Sequence, residues 1–219
     1  MTRAIKAVLW DMDGTLADSE ALHLDTLVAV LKQHGLEADD DLHASIFGKT
    51  GREVHRYCST RFGIDFDYGQ WSMTRARHYV SAAANMQPRP GALSVYHAVR
   101  AAGIRQAIVS NSSRMLLEAG LRALDLQDPQ LVSISANDVR AGKPDPEPYE
   151  RAAWLLRVTP DEAVVVEDSP TGARAAIAAG MRVLAWPEHA SAAASFPDSS
   201  EVVFSEHELA AALGVQLDS

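Results

Sequence analysis

Four apolar runs rich in β-branched residues constrain this chain more than any other feature, because each is continuous rather than alternating and each stops at a polar residue or a turn. Ile5–Trp10 ends at Asp11, Gln106–Val109 at Ser110-Asn111-Ser112, Ala163–Val166 at Glu167-Asp168-Ser169-Pro170, and Met181–Trp186 at Pro187. A strand with one wet face alternates apolar and polar side chains, whereas a strand buried on both faces does not, and such strands belong to parallel sheets. Helical patterns fill the gaps: Gly91–Ala102 before Gly103, Ser112–Leu124, Pro146–Leu156, and Thr171–Ala179 before Gly180. Asp145 reads as the N-cap of the third, with Pro146 at its first helical position, and Gly180 suits the residue after a helix. Strands alternating with helices predict an α/β fold, a doubly wound, mostly parallel, Rossmann-like sheet.

The stretch from Asp18 to Gln87 reads differently. Helical periodicity runs through Ala21–Gln33, Arg52–Phe62 and Trp71–Ala84, with no buried-strand run among them. Gln87-Pro88-Arg89-Pro90-Gly91 then breaks the chain before the α/β pattern resumes. The expectation is a helical cap domain, residues 18–87, inserted into an α/β core made of residues 1–17 and 88–219. Near the end, Ser205-x-x-Glu208 forms a capping box that opens a last helix, Glu206–Leu213, after a weakly patterned loop at Ala190–Ser200.

The formal net charge of −9 argues against a nucleic-acid or anionic-membrane partner, since either favours a basic surface. A single cysteine, Cys58, excludes an intrachain disulfide and a Cys-rich zinc site, and reads as a small core residue. The N-terminal apolar run is cut off by Asp11, and the later stretch from Ala175 to Trp186 is interrupted by Arg182 and too short for a membrane span. A cytoplasmic protein is expected, and the compact cap points to a monomer.

In an open α/β sheet, ligands sit beyond the carboxyl ends of the strands. The residues that end the apolar runs therefore converge: Asp11 and Asp13, Ser110 and Asn111, Glu167 and Asp168. Asp11 and Asp13, one residue apart in extended chain, can share a side, and two such carboxylates repel unless a cation or proton relieves them. Taken alone, Asp-x-Asp-Gly also fits a turn or a helix N-cap. Gly142-Lys143-Pro144-Asp145-Pro146 adds a lysine on a segment stiffened by prolines. Carboxylates for a cation, an ammonium, a hydroxyl and backbone N–H groups are what phosphoryl transfer requires.

Four short motifs now coincide in order. Asp11, Asp13, Gly14 and Thr15 match DxDGT; Ser110, beside Asn111, supplies a strand-end hydroxyl; Lys143 lies in GKPDP; and Glu167-Asp168 form an acidic pair at a strand end. On these motifs the chain resembles the haloacid dehalogenase-like hydrolase superfamily, in the helical-cap subgroup of β-phosphoglucomutases and sugar phosphatases. The resemblance implies that Asp11 is a nucleophile forming an aspartyl-phosphate and that Asp13 is the general acid and base. It implies phosphate contacts from Ser110, Asn111 and Lys143, and Mg²⁺ held by Asp11, Asp168, the Asp13 carbonyl and Glu167. An aspartate at position 13 fits phosphatases and phosphomutases rather than dehalogenases. A small phosphorylated metabolite, such as a sugar or sugar-acid phosphate, is the implied partner.

In the resembling group, the residues matching His23 and the loop Phe47-Gly48-Lys49-Thr50-Gly51-Arg52 face the active site, which makes His23, Lys49 and Arg52 substrate candidates. The cap-loop arginine of the mutase falls at Gly51 here, a departure that favours hydrolysis over the β-phosphoglucomutase-like alternative. A phosphate-binding loop at Gly48-Lys49-Thr50 fails because position 43 is His43. A receiver-like signalling module phosphorylated on aspartate shares the acidic residues, hydroxyl and lysine, but carries no helical insertion.

Overall fold

The first buried run forms β1 (Ala7–Trp10), every residue of which is buried. The computed structural model describes residues 4–39, 41–46, 51–65 and 67–217. After β1 come the two-residue β2 (Ala17–Asp18), α1 (Glu20–Gln33), α2 (Leu42–Ile46), α3 (Gly51–Phe62) and α4 (Tyr68–Ala82). β3 (Gln87–Pro88) then pairs antiparallel with β2. The chain continues through α5 (Ala92–Ala101), β4 (Arg105–Val109), α6 (Arg114–Ala123), β5 (Val132–Ile134) and α7 (Glu147–Leu156). It finishes with β6 (Ala163–Glu167), α8 (Pro170–Ala178), β7 (Arg182–Ala185), β8 (Glu201–Val202) and α9 (Glu206–Leu213).

Six strands make one sheet in the order β5-β4-β1-β6-β7-β8, with all neighbours parallel. This is the Rossmann-like α/β sheet that the buried runs imply. The strand order reverses at β1, which therefore stands at the switch point where a crevice opens beyond the strand ends. Trp10 is level with Ile108 of β4 and Val166 of β6. The residues that follow, Asp11, Ser110 and Glu167-Asp168, consequently emerge along one edge.

The chain divides into two compact units, Met1–Asp18 with Gln87–Ser219, and Ser19–Met86. In the first unit, Leu9, Val109 and Val165 of the sheet pack with Tyr149 and Ala152 of α7 and Ala173 and Ala176 of α8. The small side chains of Ala173 and Ala176 let α8 pack closely on the strands. In the second, Leu27, Val30 and Leu31 of α1 pack with Leu42, Val54, Cys58, Ile64 and Trp71. Cys58 is fully buried there, and burial pushes its thiol up to about 11. No helix among the described residues is long and apolar enough to cross a membrane.

Local differences from the sequence reading have local causes. α4 begins at Tyr68 rather than Trp71, because Asp67 accepts the Gln70 N–H at 2.9 Å and caps a turn earlier. The N-cap of α7 is Pro146 rather than Asp145, because the helix starts at Glu147; the Asp145 carboxylate accepts the Glu147 N–H at 2.9 Å from one residue further out. At α9, Ser205 accepts from the Glu208 N–H as a capping box requires, but the Glu208 carboxylate accepts from Phe204 instead of Ser205. Ala190–Ser195 forms a 3₁₀ helix rather than an irregular loop.

Candidate active site

Asp11 leaves β1 still tied to the sheet, its N–H donating to the Val166 carbonyl at 3.0 Å. The chain then turns sharply: the Gly14 N–H reaches the Ala17 carbonyl at 2.8 Å. Gly14 sits at φ +84°, and a Cβ there would fall 2.1 Å from Asp168 Oδ2. Glycine is required at this position on both counts. The turn thus brings Asp168 against the Asp11–Thr15 loop, and the Thr15 hydroxyl donates to Asp168 Oδ1 at 3.1 Å.

Lys143 is placed by Asn111. The Asn111 amide accepts the Lys143 backbone N–H at 2.8 Å and donates to its carbonyl at 3.0 Å. The Asn111 side chain expected at the phosphate therefore clamps the lysine's backbone. From that anchor the Lys143 ammonium donates to Asp11 Oδ1 at 2.5 Å, Glu167 Oε1 at 2.7 Å and the Val109 carbonyl at 2.8 Å. Those three bonds use all of its hydrogens. Burial works against its charge, but Asp11 and Glu167 outweigh burial and hold Lys143 protonated, above the usual lysine range.

Glu167 is fully buried and every lone-pair direction of its carboxylate is taken. Oε1 accepts from Lys143 and from the Tyr149 hydroxyl, each at 2.7 Å, and Oε2 accepts from the Ser169 N–H and hydroxyl. Burial, then the charges of Glu167 and Asp11, push the Tyr149 phenol well above its ordinary range, so it remains a donor. Gly172, in the first turn of α8, lies directly on this carboxylate: a Cβ would sit 1.6 Å from Glu167 Oε1. Replacing a helical glycine by alanine ordinarily stabilises by roughly 0.5–1 kcal/mol. Here overpacking, about 1–3 kcal/mol, wins. Gly172→Ala is expected to lower the urea midpoint and the turnover together, and a midpoint above wild type would refute the contact.

Asp13 faces the hydroxyls after β4. Its Oδ2 accepts from Ser110 at 3.2 Å and from Ser112 at 2.8 Å. The Ser112 backbone N–H in turn donates to the Ser110 hydroxyl at 2.9 Å, completing a small network on one carboxylate. Sequence reasoning passed over Ser112, Tyr149 and Arg89. Arg89 donates to the carbonyls of Gly14 at 2.8 Å, Trp186 at 2.6 Å and Pro187 at 2.8 Å, and its guanidinium stacks 4.0 Å from the Trp186 ring centre. It joins the loop after Asp13 to the loop after β7.

Asp11, Glu167 and Asp168 each bring a carboxylate oxygen within 4.8 Å of the other two. Burial, with the neighbouring carboxylates, raises the pKa of Asp11 well above the ordinary range despite Lys143, and lifts Asp168 to about 7. Negative charge thus exceeds what one ammonium neutralises, and the donor set is all oxygen, which fits a hard divalent cation. Because Glu167 is saturated, Asp11 and Asp168 are the side chains with lone pairs to offer, and Glu167 supports them from behind.

The remaining candidates lie in the helical unit. His23 is on α1, its ring 4.9 Å from that of Tyr79, with Arg75 donating to its carbonyl at 3.2 Å. Arg52 is on α3, its guanidinium 4.4 Å from the Tyr68 ring centre. Lys49 lies outside the described residues.

Known proteins match this chain in both sequence and fold. The family model for haloacid dehalogenase-like hydrolases covers residues 8–186. The validoxylamine A 7′-phosphate phosphatase of Streptomyces hygroscopicus subsp. limoneus is 31% identical over 179 residues, 80% of this chain and 83% of its own. Hexitol phosphatase A of Escherichia coli K12 is 32% identical over 206 residues, 93% of this chain and 91% of its own. Among solved structures, CbbY from Rhodobacter sphaeroides in complex with phosphate superposes with a TM-score of 0.86 at 27% identity, covering 96% of this chain and 100% of that one. With the family match spanning all four motifs, the chain belongs to the haloacid dehalogenase-like hydrolases, as one of their phosphoric monoester hydrolases.

Proposed function

We propose that this enzyme is a Mg²⁺-dependent phosphatase that hydrolyses a sugar or sugar-acid phosphate through an aspartyl-phosphate on Asp11. The observation that carries the proposal is the buried Lys143–Asp11 contact at 2.5 Å, with Asp168 and Asp13 alongside on the same strand-end edge. A carboxylate oriented by a fixed ammonium, in a site with spare negative charge for a cation, suits attack on phosphorus better than it suits a scaffold.

Asp11, Asp168 and the Asp13 carbonyl would hold Mg²⁺. When bound, the ion neutralises charge on the transferring phosphoryl group. Asp11 attacks phosphorus, the P–O ester bond breaks, and Asp13 gives its proton to the departing alcohol. Asp13 then takes a proton from water as the water oxygen bonds to phosphorus, and Asp11 is released with inorganic phosphate. Ser110 has a double part: its hydroxyl donates to Asp13 in the free protein, and turning it toward a phosphate oxygen frees Asp13 to carry a proton. Lys143 would act on the phosphate through its charge while its three hydrogens stay on Asp11, Glu167 and the Val109 carbonyl, and Asn111 keeps its backbone in place. His23, Lys49 and Arg52 are proposed to select the substrate, on the resemblance of their positions.

The two named phosphatases and the phosphate complex of CbbY support hydrolysis of a small phosphorylated compound. The test is inorganic phosphate release from a panel of sugar and sugar-acid phosphates and a generic aryl phosphate. Release is expected with Mg²⁺ and lost on chelation. Bisphosphate-dependent isomerisation of a hexose phosphate with little free phosphate would overturn it in favour of a mutase. A lasting phosphoryl adduct without turnover would do so in favour of a receiver-like module.

A further inference from the structure

Tyr149 is fully buried in the first turn of α7, and its hydroxyl ends on the same oxygen, Glu167 Oε1, that takes a hydrogen from Lys143. The Lys143 ammonium also lies 4.8 Å from the Tyr149 ring centre. Lys143 and Tyr149 are six residues apart on one segment, Gly142–Tyr149, that carries three prolines. The segment is further pinned by Asn111 at one end and by the Tyr149 N–H on the Pro146 carbonyl, 3.1 Å, at the other. The tyrosine therefore enters from the lysine's own element and fixes the carboxylate that the lysine leans on.

We propose that Tyr149 is a positioning residue for the nucleophile, acting through Glu167 and Lys143 on Asp11. An ammonium rotates freely about its terminal bond, so its three hydrogens point in useful directions only if all three acceptors are fixed. The Val109 carbonyl is fixed by the sheet. Glu167 Oε1 is fixed by the Tyr149 hydroxyl on one side and by Gly172 closing over it on the other. With two acceptors rigid, the third hydrogen lies along Asp11 Oδ1, and the second Asp11 oxygen is presented to the reacting centre. Without the hydroxyl, Oε1 loses one of its two donors and keeps only Lys143, while Ser169 still holds Oε2, so the position of Oε1 is less tightly set and the lysine holds Asp11 less firmly in one orientation.

This inference rests on Asp11 as the nucleophile, so wild-type phosphate release is established first. Tyr149→Phe removes one oxygen and keeps the ring. It is expected to lower kcat about 10-fold, at the lower end of effects seen for partners one shell behind a reacting group, while KM changes less than about twofold. A tyrosine that merely satisfies a buried acceptor would lower the thermal midpoint and leave kcat of the folded enzyme at the wild-type value. Glu167→Gln tests the same chain from its other end. If Tyr149 acts through Glu167, adding Tyr149→Phe to Glu167→Gln lowers kcat little further. Wild-type kcat in Tyr149→Phe, or full multiplication of the two losses in the double variant, would overturn the inference and leave the phosphatase reading intact. Absence of phosphate release by the wild type would instead defeat the reading on which it rests.

Discussion

Asp11→Asn is expected to abolish phosphate release and to leave the metal-free protein at least as thermally stable as the wild type. The first half follows from chemistry. An amide oxygen is a far weaker nucleophile than a carboxylate, and losing the nucleophile of a covalent mechanism is expected to cost about 10³-fold or more in kcat. The second half follows from electrostatics. Burial is the largest influence raising the Asp11 pKa, Glu167, Asp168 and Asp13 add to it, and only Lys143 opposes them. A pKa raised by the folded environment means that the charged form is held at a cost to stability. Asparagine keeps the shape and still offers Oδ1 to Lys143, while removing one of the crowded negative charges. Wild type should also gain more in thermal midpoint from Mg²⁺ than the variant does, because a ligand that binds the folded state more tightly stabilises it more. Retained turnover would remove Asp11 as nucleophile. A marked fall in the midpoint of the metal-free variant would show that the Lys143 pairing outweighs the repulsion.

The strand ends were legible because β1, β4, β6 and β7 lie inside the sheet, where both faces demand apolar residues and the run stops only where chemistry begins. β5 was not, since Ser133 interrupts it and two of its three residues are only half buried. β8 is two residues long with Glu201 exposed, too short to carry a period. The candidate side chains at those ends, Asp11, Asp13, Ser110 and Glu167-Asp168, could be picked out because charged and hydroxyl residues just after a buried strand have few structural reasons to be there, and Lys143 because prolines stiffen the segment that carries it. Their partners could not. Tyr149 reads as one more apolar residue on an amphipathic helix, and only the fold shows that its hydroxyl reaches Glu167. Arg89 sits in a Pro-rich break that reads as a linker, yet its guanidinium binds three carbonyls that come together only when β1 and β7 lie in one sheet. Asn111 was read by its neighbour Ser110, but its amide spans to a backbone 32 residues further on.

Lys143→Ala carries the largest expected loss of stability, and its sign separates two views of the buried cluster. If the ammonium were only a ligand for incoming phosphate, its removal would weaken binding and leave the fold unchanged. Its contacts say otherwise. Lys143 is 4% exposed and, among the described residues, is the one cation bonded directly to Asp11 and Glu167, which are themselves buried. Among the described residues, Arg89 is the other cation that acts on this cluster, and its influence falls on Asp168. Removing one partner of a buried ion pair costs about 3–5 kcal/mol, because the remaining charge stays desolvated without compensation. In a chain of this size each kcal/mol moves the midpoint by roughly 2–4 °C, so a fall on the order of 6–20 °C is expected in the absence of metal. Glu167→Gln combined with Lys143→Met removes charge of both signs and should recover part of that loss, because the uncompensated carboxylate is then gone. Mg²⁺ should recover part of it in Lys143→Ala alone, since a divalent cation at Asp11 and Asp168 supplies the positive charge that the lysine no longer does. A Lys143→Ala midpoint within 2 °C of wild type, measured without metal by circular dichroism, would mean that water enters the cavity and hydrates the carboxylates. The lysine would then be a phosphate contact and nothing more, because the order at Asp11 would have to come from the β1 backbone rather than from the ion pair.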